Sequence, residues 1–95
     1  MQILALFRLS SADLTAFEAY EAQVLPLLAS HGGVLTRRLR SEDGAIEAHL
    51  LSFPDQAAFD AYRADPARAA AQELWSRCGA TSEVWSVVDV TSAPE

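Results

Sequence analysis

Few residues in this chain can do acid–base chemistry. It has two histidines, His31 and His49, one cysteine, Cys78, and seven basic residues that are all arginine. Imidazole is the side chain that titrates nearest neutral pH, so His49 is the candidate catalytic general base. Arg8, Arg38, Glu47, Trp85 and Asp89 are the candidate ligand-binding residues around it. A guanidinium can clamp a carboxylate or steady an enolate. The other reading of the same residues is structural. Arg38 and Glu47 then form a cross-strand ion pair, and His49 is a satisfied interface histidine.

The remaining reactive types read as structural. His31 precedes Gly32-Gly33, where a cation complements a helix C-terminus. A His31–His49 pair has no short-range ligand spacing, so no metal site is expected. A lone cysteine leaves no internal disulfide and no cysteine metal site. Cys78 falls on an apolar helical stripe, as a buried thiol does. Tyr20 and Tyr62 read as packing residues. Ser10-Ser11 has no nucleophile elbow around it. No phosphate-binding loop or dinucleotide fingerprint occurs, and no cofactor is expected. The absence of lysine excludes Schiff-base chemistry on that residue type.

Composition narrows the partners. The net charge of −6 disfavours binding to nucleic acid, which wants a basic face. About half the residues are apolar (51%), enough for a core, yet no run approaches the roughly 20 needed to span a bilayer. The start, MQILALFRL, lacks a basic leader and a cleavage site. A cytoplasmic single domain over residues 1–95 is the expectation.

The elements that must position these residues follow from period and punctuation. Gln2 to Leu9 alternates, with Ile3, Ala5, Phe7 and Leu9 on one face and both faces largely apolar, as in a central strand. Ser10 with Asp13 resembles a capping box before a helix from about Ala12 to Ser30. Pro26 should kink or interrupt that helix near Ala22. Val34 to Arg40 carries Arg37, Arg38 and Arg40 and reads as a charged edge strand. Asp43-Gly44 is a hairpin signal. Pairing through it sets Arg40 opposite Glu47 and Arg38 opposite His49, or Arg38 opposite Glu47 with a longer loop. Ala45 to Phe53 alternates again. Ile46, Ala48 and Leu50 are assigned to the helices, and Glu47, His49, Leu51 and Phe53 to the opposite face. Asp55 and Asp65-Pro66 start two further helices. The second buries Ala67, Ala70, Ala71, Leu74, Trp75 and Cys78 and ends at Gly79. Glu83 to Val90 is the last strand, with Trp85, Val87 and Asp89 on one face.

This order is the split βαβ, ferredoxin-like α+β pattern: βαββαβ with a four-stranded antiparallel sheet. Helices cover one face. The other carries too much apolar area for a monomer, and a second copy is the expected cover, giving a homodimer. A small-molecule ligand between the sheets is the second expected partner.

His31-Gly32-Gly33 before the second strand, Ser52-Phe53-Pro54 before a helix with Phe59 and Tyr62, and the Asp65-Pro66 step resemble the DUF1330-type proteins of the dimeric α/β-barrel superfamily. The resemblance covers roughly Gln2 to Ala71. It implies a homodimeric α/β barrel. The wider superfamily includes cofactor-free monooxygenases, haem-degrading enzymes, lactone isomerases and dehalogenating enzymes. It therefore implies either a cofactor-free enzyme acting on a small organic acid or aromatic, or a non-catalytic ligand-binding or assembly module. The short Glu42-Asp43-Gly44 turn departs from relatives that carry an insertion there.

Overall fold

The computed structural model describes residues 1–90. Strand β1 (Gln2–Arg8) leads into helix α1 (Leu14–Val24), which continues as a 3-10 helix (Leu25–His31). Strands β2 (Val34–Arg40) and β3 (Ile46–Ser52) form a hairpin. Helices α2 (Gln56–Arg63), α3 (Pro66–Ala70) and α4 (Gln72–Cys78) follow, and β4 (Thr81–Val87) closes the order. The sheet runs β2-β3-β1-β4 with every neighbouring pair antiparallel. β1 is central and β2 an edge, as the charge pattern implies.

Capping residues fix the helix starts. The Asp13 carboxylate accepts from Ala16 N at 3.1 Å, so Asp13 itself caps α1 and the Ser10 capping box does not form. Asp55 caps α2 and Asp65 caps α3 in the same way. Pro26 cannot donate a backbone hydrogen bond, and the α-helix gives way at Val24 to the tighter 3-10 form rather than at Ala22. The segment after Pro66 is two short helices, so Ala67 and Ala70 are exposed while Ala71 and Cys78 are buried. The last strand ends at Val87, and Val88 and Val90 lie exposed beyond it. Residues 91–95, read from sequence as a loose tail, lie outside the described residues.

The register corrects one face assignment. Ile3 pairs with Leu51, Ala5 with His49 and Phe7 with Glu47. Paired residues share a face, and Ile3 and Ala5 are buried under the helices. Glu47, His49, Leu51 and Phe53 are therefore on the helix side, and Ile46, Ala48 and Leu50 form the open face. Phe53 explains the reversal. Its ring packs on Phe59 and Tyr62 of α2, inside a cluster with Ile3, Leu28 and Leu51. Since side chains alternate, burying Phe53 and Leu51 buries His49 and Glu47 with them.

The hairpin keeps the first of the two registers. Arg38 stands opposite His49 and Arg40 opposite Glu47, with an irregularity between Leu35 and Arg37. The open face remains apolar: Leu4, Leu6, Ile46, Ala48 and Leu50 are half-buried, and Leu39 and Trp85 are 51% and 44% exposed. No helix of the described residues is long and apolar enough to cross a membrane.

Candidate functional site

β3 brings Glu47 and His49 side by side on one face, and α1 lays Glu21 over them. All three are buried. His49 Nε2 lies 2.6 Å from Glu47 Oε2 and 3.0 Å from Glu21 Oε2. β2 supplies the counter-charge. Arg38 donates to Glu21 Oε1 at 2.7 Å and to Glu47 Oε2 at 3.2 Å. Arg40 donates twice to Glu47 Oε1, at 2.9 and 2.6 Å.

The two carboxyls are driven apart. Burial works to raise the Glu47 pKa, but hydrogen bonds from Glu21, His49, Arg40 and Arg38 outweigh it and hold the group at about 2. Burial raises the Glu21 pKa above the ordinary carboxylate range; the bond with His49 and the charge of Arg38 oppose this, and Glu47 adds to it. Two close carboxylates cannot both ionise freely. With Glu47 ionised, the short contact to Nε2 places the imidazole proton on that nitrogen. Glu21 Oε2 is fully buried; its one polar neighbour is His49 Nε2 at 3.0 Å, which is aimed at Glu47 and meets Oε2 at too poor an angle for a full hydrogen bond.

His49 and Glu21 also form one wall of a cavity of about 200 Å³ between sheet and helices. The rest is mainly aromatic and aliphatic: Phe7, Tyr20, Phe59, Tyr62 and Trp75, with Ile3, Val24 and Leu51. Phe7 holds the imidazole by ring contact at 4.9 Å, and Trp75 stacks obliquely on Tyr20 at 5.1 Å. Arg63 and Arg68 contribute to the same lining. A wider groove of about 760 Å³ lies on the other side of Glu21 and Glu47, along Arg38 and Arg40.

The sequence-predicted site residues divide between the two faces. His49, Glu47 and Arg38 come together, on the helix side rather than between two sheets. Arg8 lies on the opposite face, paired with Glu83 at 3.1 Å. Trp85 is on that face across from Leu4, and Asp89 accepts from Gln2 there. A pocket joining His49 to Arg8 is therefore not formed. Arg40 joins the cluster from its expected place opposite Glu47, and Glu21 joins it unforeseen. Glu21 was legible: it stands four residues after Phe17 and three before Val24, on the apolar stripe of α1. His31 bonds Asp65 at 2.7 Å, tying the 3-10 helix to the α3 cap, 34 residues on and apart from the cavity. Cys78 is buried and free.

Glu21, Glu47 and His49 offer three ligand atoms within 4.8 Å of one another. A cation there would have to displace guanidinium groups from Glu21 Oε1 and from both oxygens of Glu47. Two arginines already neutralise the two carboxyls, so the donor set fits a proton better than a metal ion.

No protein-family model and no curated protein matches this chain. Solved structures do match its fold. SnoaB, a cofactor-independent oxygenase from Streptomyces nogalater, is 18% identical over 97% of this chain and 96% of its own, with a TM-score of 0.70. A candidate antibiotic biosynthesis monooxygenase from Caulobacter crescentus is 15% identical over 93% and 89%, at 0.68. Atu4242 from Agrobacterium tumefaciens is 19% identical over 92% of both chains, at 0.64. The class this defines is one of fold: a ferredoxin-like α+β domain with a four-stranded antiparallel sheet.

Proposed function

We propose that this protein is a cofactor-free enzyme acting on a small aromatic compound held between its sheet and helices, with His49 as the base. The observation that carries the reading is the placement of His49. Its Nε2 is held by an ionised carboxylate, and the ring borders an aromatic cavity. A carboxylate behind an imidazole fixes its tautomer and stabilises the cation formed on proton uptake. A volume near 200 Å³ suits a single substituted ring, since a cavity of about 150 Å³ takes benzene. Proton transfer from a phenolic hydroxyl to Nδ1 leaves an electron-rich phenolate, the form that cofactor-independent oxygenation requires. The oxygenase among the structural neighbours supports this class of chemistry.

The test is dioxygen uptake with a panel of one-ring phenols and catechols. Turnover by the wild type that Glu47→Gln weakens and His49→Ala abolishes supports the reading. Binding without turnover across the panel overturns it in favour of a non-catalytic ligand-binding module, which the near-saturated ion network would serve equally.

A homodimer belongs to the same proposal. Leu4, Leu6, Ile46, Leu50 and Trp85 form an apolar face that a second sheet would cover. Membership of the DUF1330-type group is supported by contact between its two paired elements. A Cβ at Gly33 would sit 2.8 Å from Phe53, and one at Gly32 2.8 Å from Pro54.

A further inference from the structure

We infer that the cavity selects an anionic aromatic, with Arg68 as the residue that receives its carboxylate. The inference rests on the proposed cavity but not on the base chemistry. Among the described residues, Arg8, Arg38, Arg40 and Arg77 each have a carboxylate within 4 Å. Arg37, Arg63 and Arg68 have none. Arg37 lies on the open face of β2, opposite Leu50. The other two both border the aromatic cavity. In a chain with almost twice as many acids as bases (13 against 7), cations left without a carboxylate at one cavity are a directed feature.

Arg68 is the better placed of the two. It is half-buried, whereas Arg63 is exposed. Its guanidinium lies 4.7 Å over the Tyr62 ring and donates to the Tyr20 hydroxyl at 3.0 Å. Both aromatic partners line the cavity, so the fork is held there with no carboxylate within 4 Å; Asp65, which feels its charge from farther off, is itself bonded to His31. A guanidinium presents parallel donors that match a carboxylate. The walls beneath it are rings. An arene carboxylate fits this order of surfaces: ring inward among Phe7, Phe59 and Trp75, carboxylate outward on Arg68. The carboxylate cannot point toward Glu47, whose own negative charge would repel it.

Benzoate and its uncharged counterpart benzamide are the probes, titrated separately by isothermal calorimetry and by NMR of the Arg68 Nε–H. The wild type should bind benzoate at least about tenfold more tightly, the factor a charge-assisted hydrogen bond carries. The Arg68 resonance should move with benzoate and not with benzamide. Arg68→Gln should remove the preference; Arg77→Gln, whose arginine pairs with Glu73 on the surface, should keep it. The wild-type resonance answers the question even where Arg68→Gln does not fold. Equal affinity for the two probes, no binding of either, or a preference that survives Arg68→Gln overturns the inference. His49→Asn separates it from the proposed chemistry: turnover is lost there while the benzoate preference stays.

Discussion

His49 and Glu47 are next-but-one neighbours on β3 whose side chains lie on one face, with Nε2 and Oε2 2.6 Å apart. The strand repeat of two brings them together, and burial makes the contact consequential. Glu47 also takes the charge of Arg38 and Arg40. Replacing it with glutamine leaves an imidazole and two guanidinium groups facing a neutral amide. Breaking a buried ion network costs on the order of 3 kcal/mol. A fall in melting temperature of about 10 °C or more is the expected outcome for Glu47→Gln, from the usual enthalpy of a domain this size. A melting curve superimposed on the wild type's would mean that Glu47 is not paired as the structure has it.

Glu21 gives the opposite sign. Its folded-state pKa is raised, so ionisation weakens the native state as pH climbs above the ordinary carboxylate range. Glu47 is depressed to about 2, so its stabilisation is complete above the unfolded value, about 4.3, and fades as pH falls toward 2. Glu21→Gln keeps a neutral group of the same shape. Its stability relative to wild type should therefore increase from pH 4 to pH 8, followed by urea denaturation at each pH. A difference that shrinks over that range would show Glu21 to be a stabilising anion instead.

Much of this was legible before the structure. Turn chemistry at Asp43-Gly44, the caps at Asp55 and Asp65 and the charge on Val34 to Arg40 gave element order and edge strand, and narrowed the hairpin to two registers, of which the first forms. The face of β3 was not legible. Ile46, Ala48 and Leu50 are as apolar as a core face should be, while Glu47 and His49 look like a solvent face. Phe53 and Leu51 carry that face under the helices, and counter-charges from elsewhere make the burial of Glu47 and His49 tolerable. Glu21, Arg38 and Arg40 come from two other elements, and pattern within one strand cannot count them. The same parity error put Glu47, His49 and Arg38 on the face that holds Arg8 and Asp89, from which the sheet separates them.

The open face yields a prediction about assembly. Leu6 is half-buried in the single chain and central on that face, and Trp85 is 44% exposed beside it. A Trp85→Ala change should therefore act mostly on association, with less than the 3–5 kcal/mol usual for a core tryptophan lost from folding. Leu6→Arg should convert a particle of twice the chain mass to one of 10.3 kDa, read by light scattering at micromolar concentration. A wild-type mass of 10.3 kDa under the same conditions would remove the dimer.

Gly33 and Gly44 separate packing from backbone strain. Gly44 has φ +75° and nothing within 4 Å of a built Cβ, so Gly44→Ala meets only the left-handed backbone penalty, about 1 kcal/mol. At Gly33 a Cβ would lie 2.8 Å from Phe53 Cε1, 3.0 Å from Leu28 Cδ2 and 3.1 Å from the Leu28 carbonyl oxygen. The carbonyl belongs to the 3-10 helix, where it accepts from Gly33 N at 2.8 Å, and cannot retreat without breaking that bond. Phe53 must yield instead, and it packs on Phe59 and Tyr62, two walls of the cavity. Overpacking of this kind costs about 1–3 kcal/mol. Gly33→Ala should thus lose more stability than Gly44→Ala in chemical denaturation, and it alone should weaken benzoate binding. Equal losses in the two variants, with binding untouched in both, would show that Phe53 can shift freely and that the Gly33 contact does not shape the cavity.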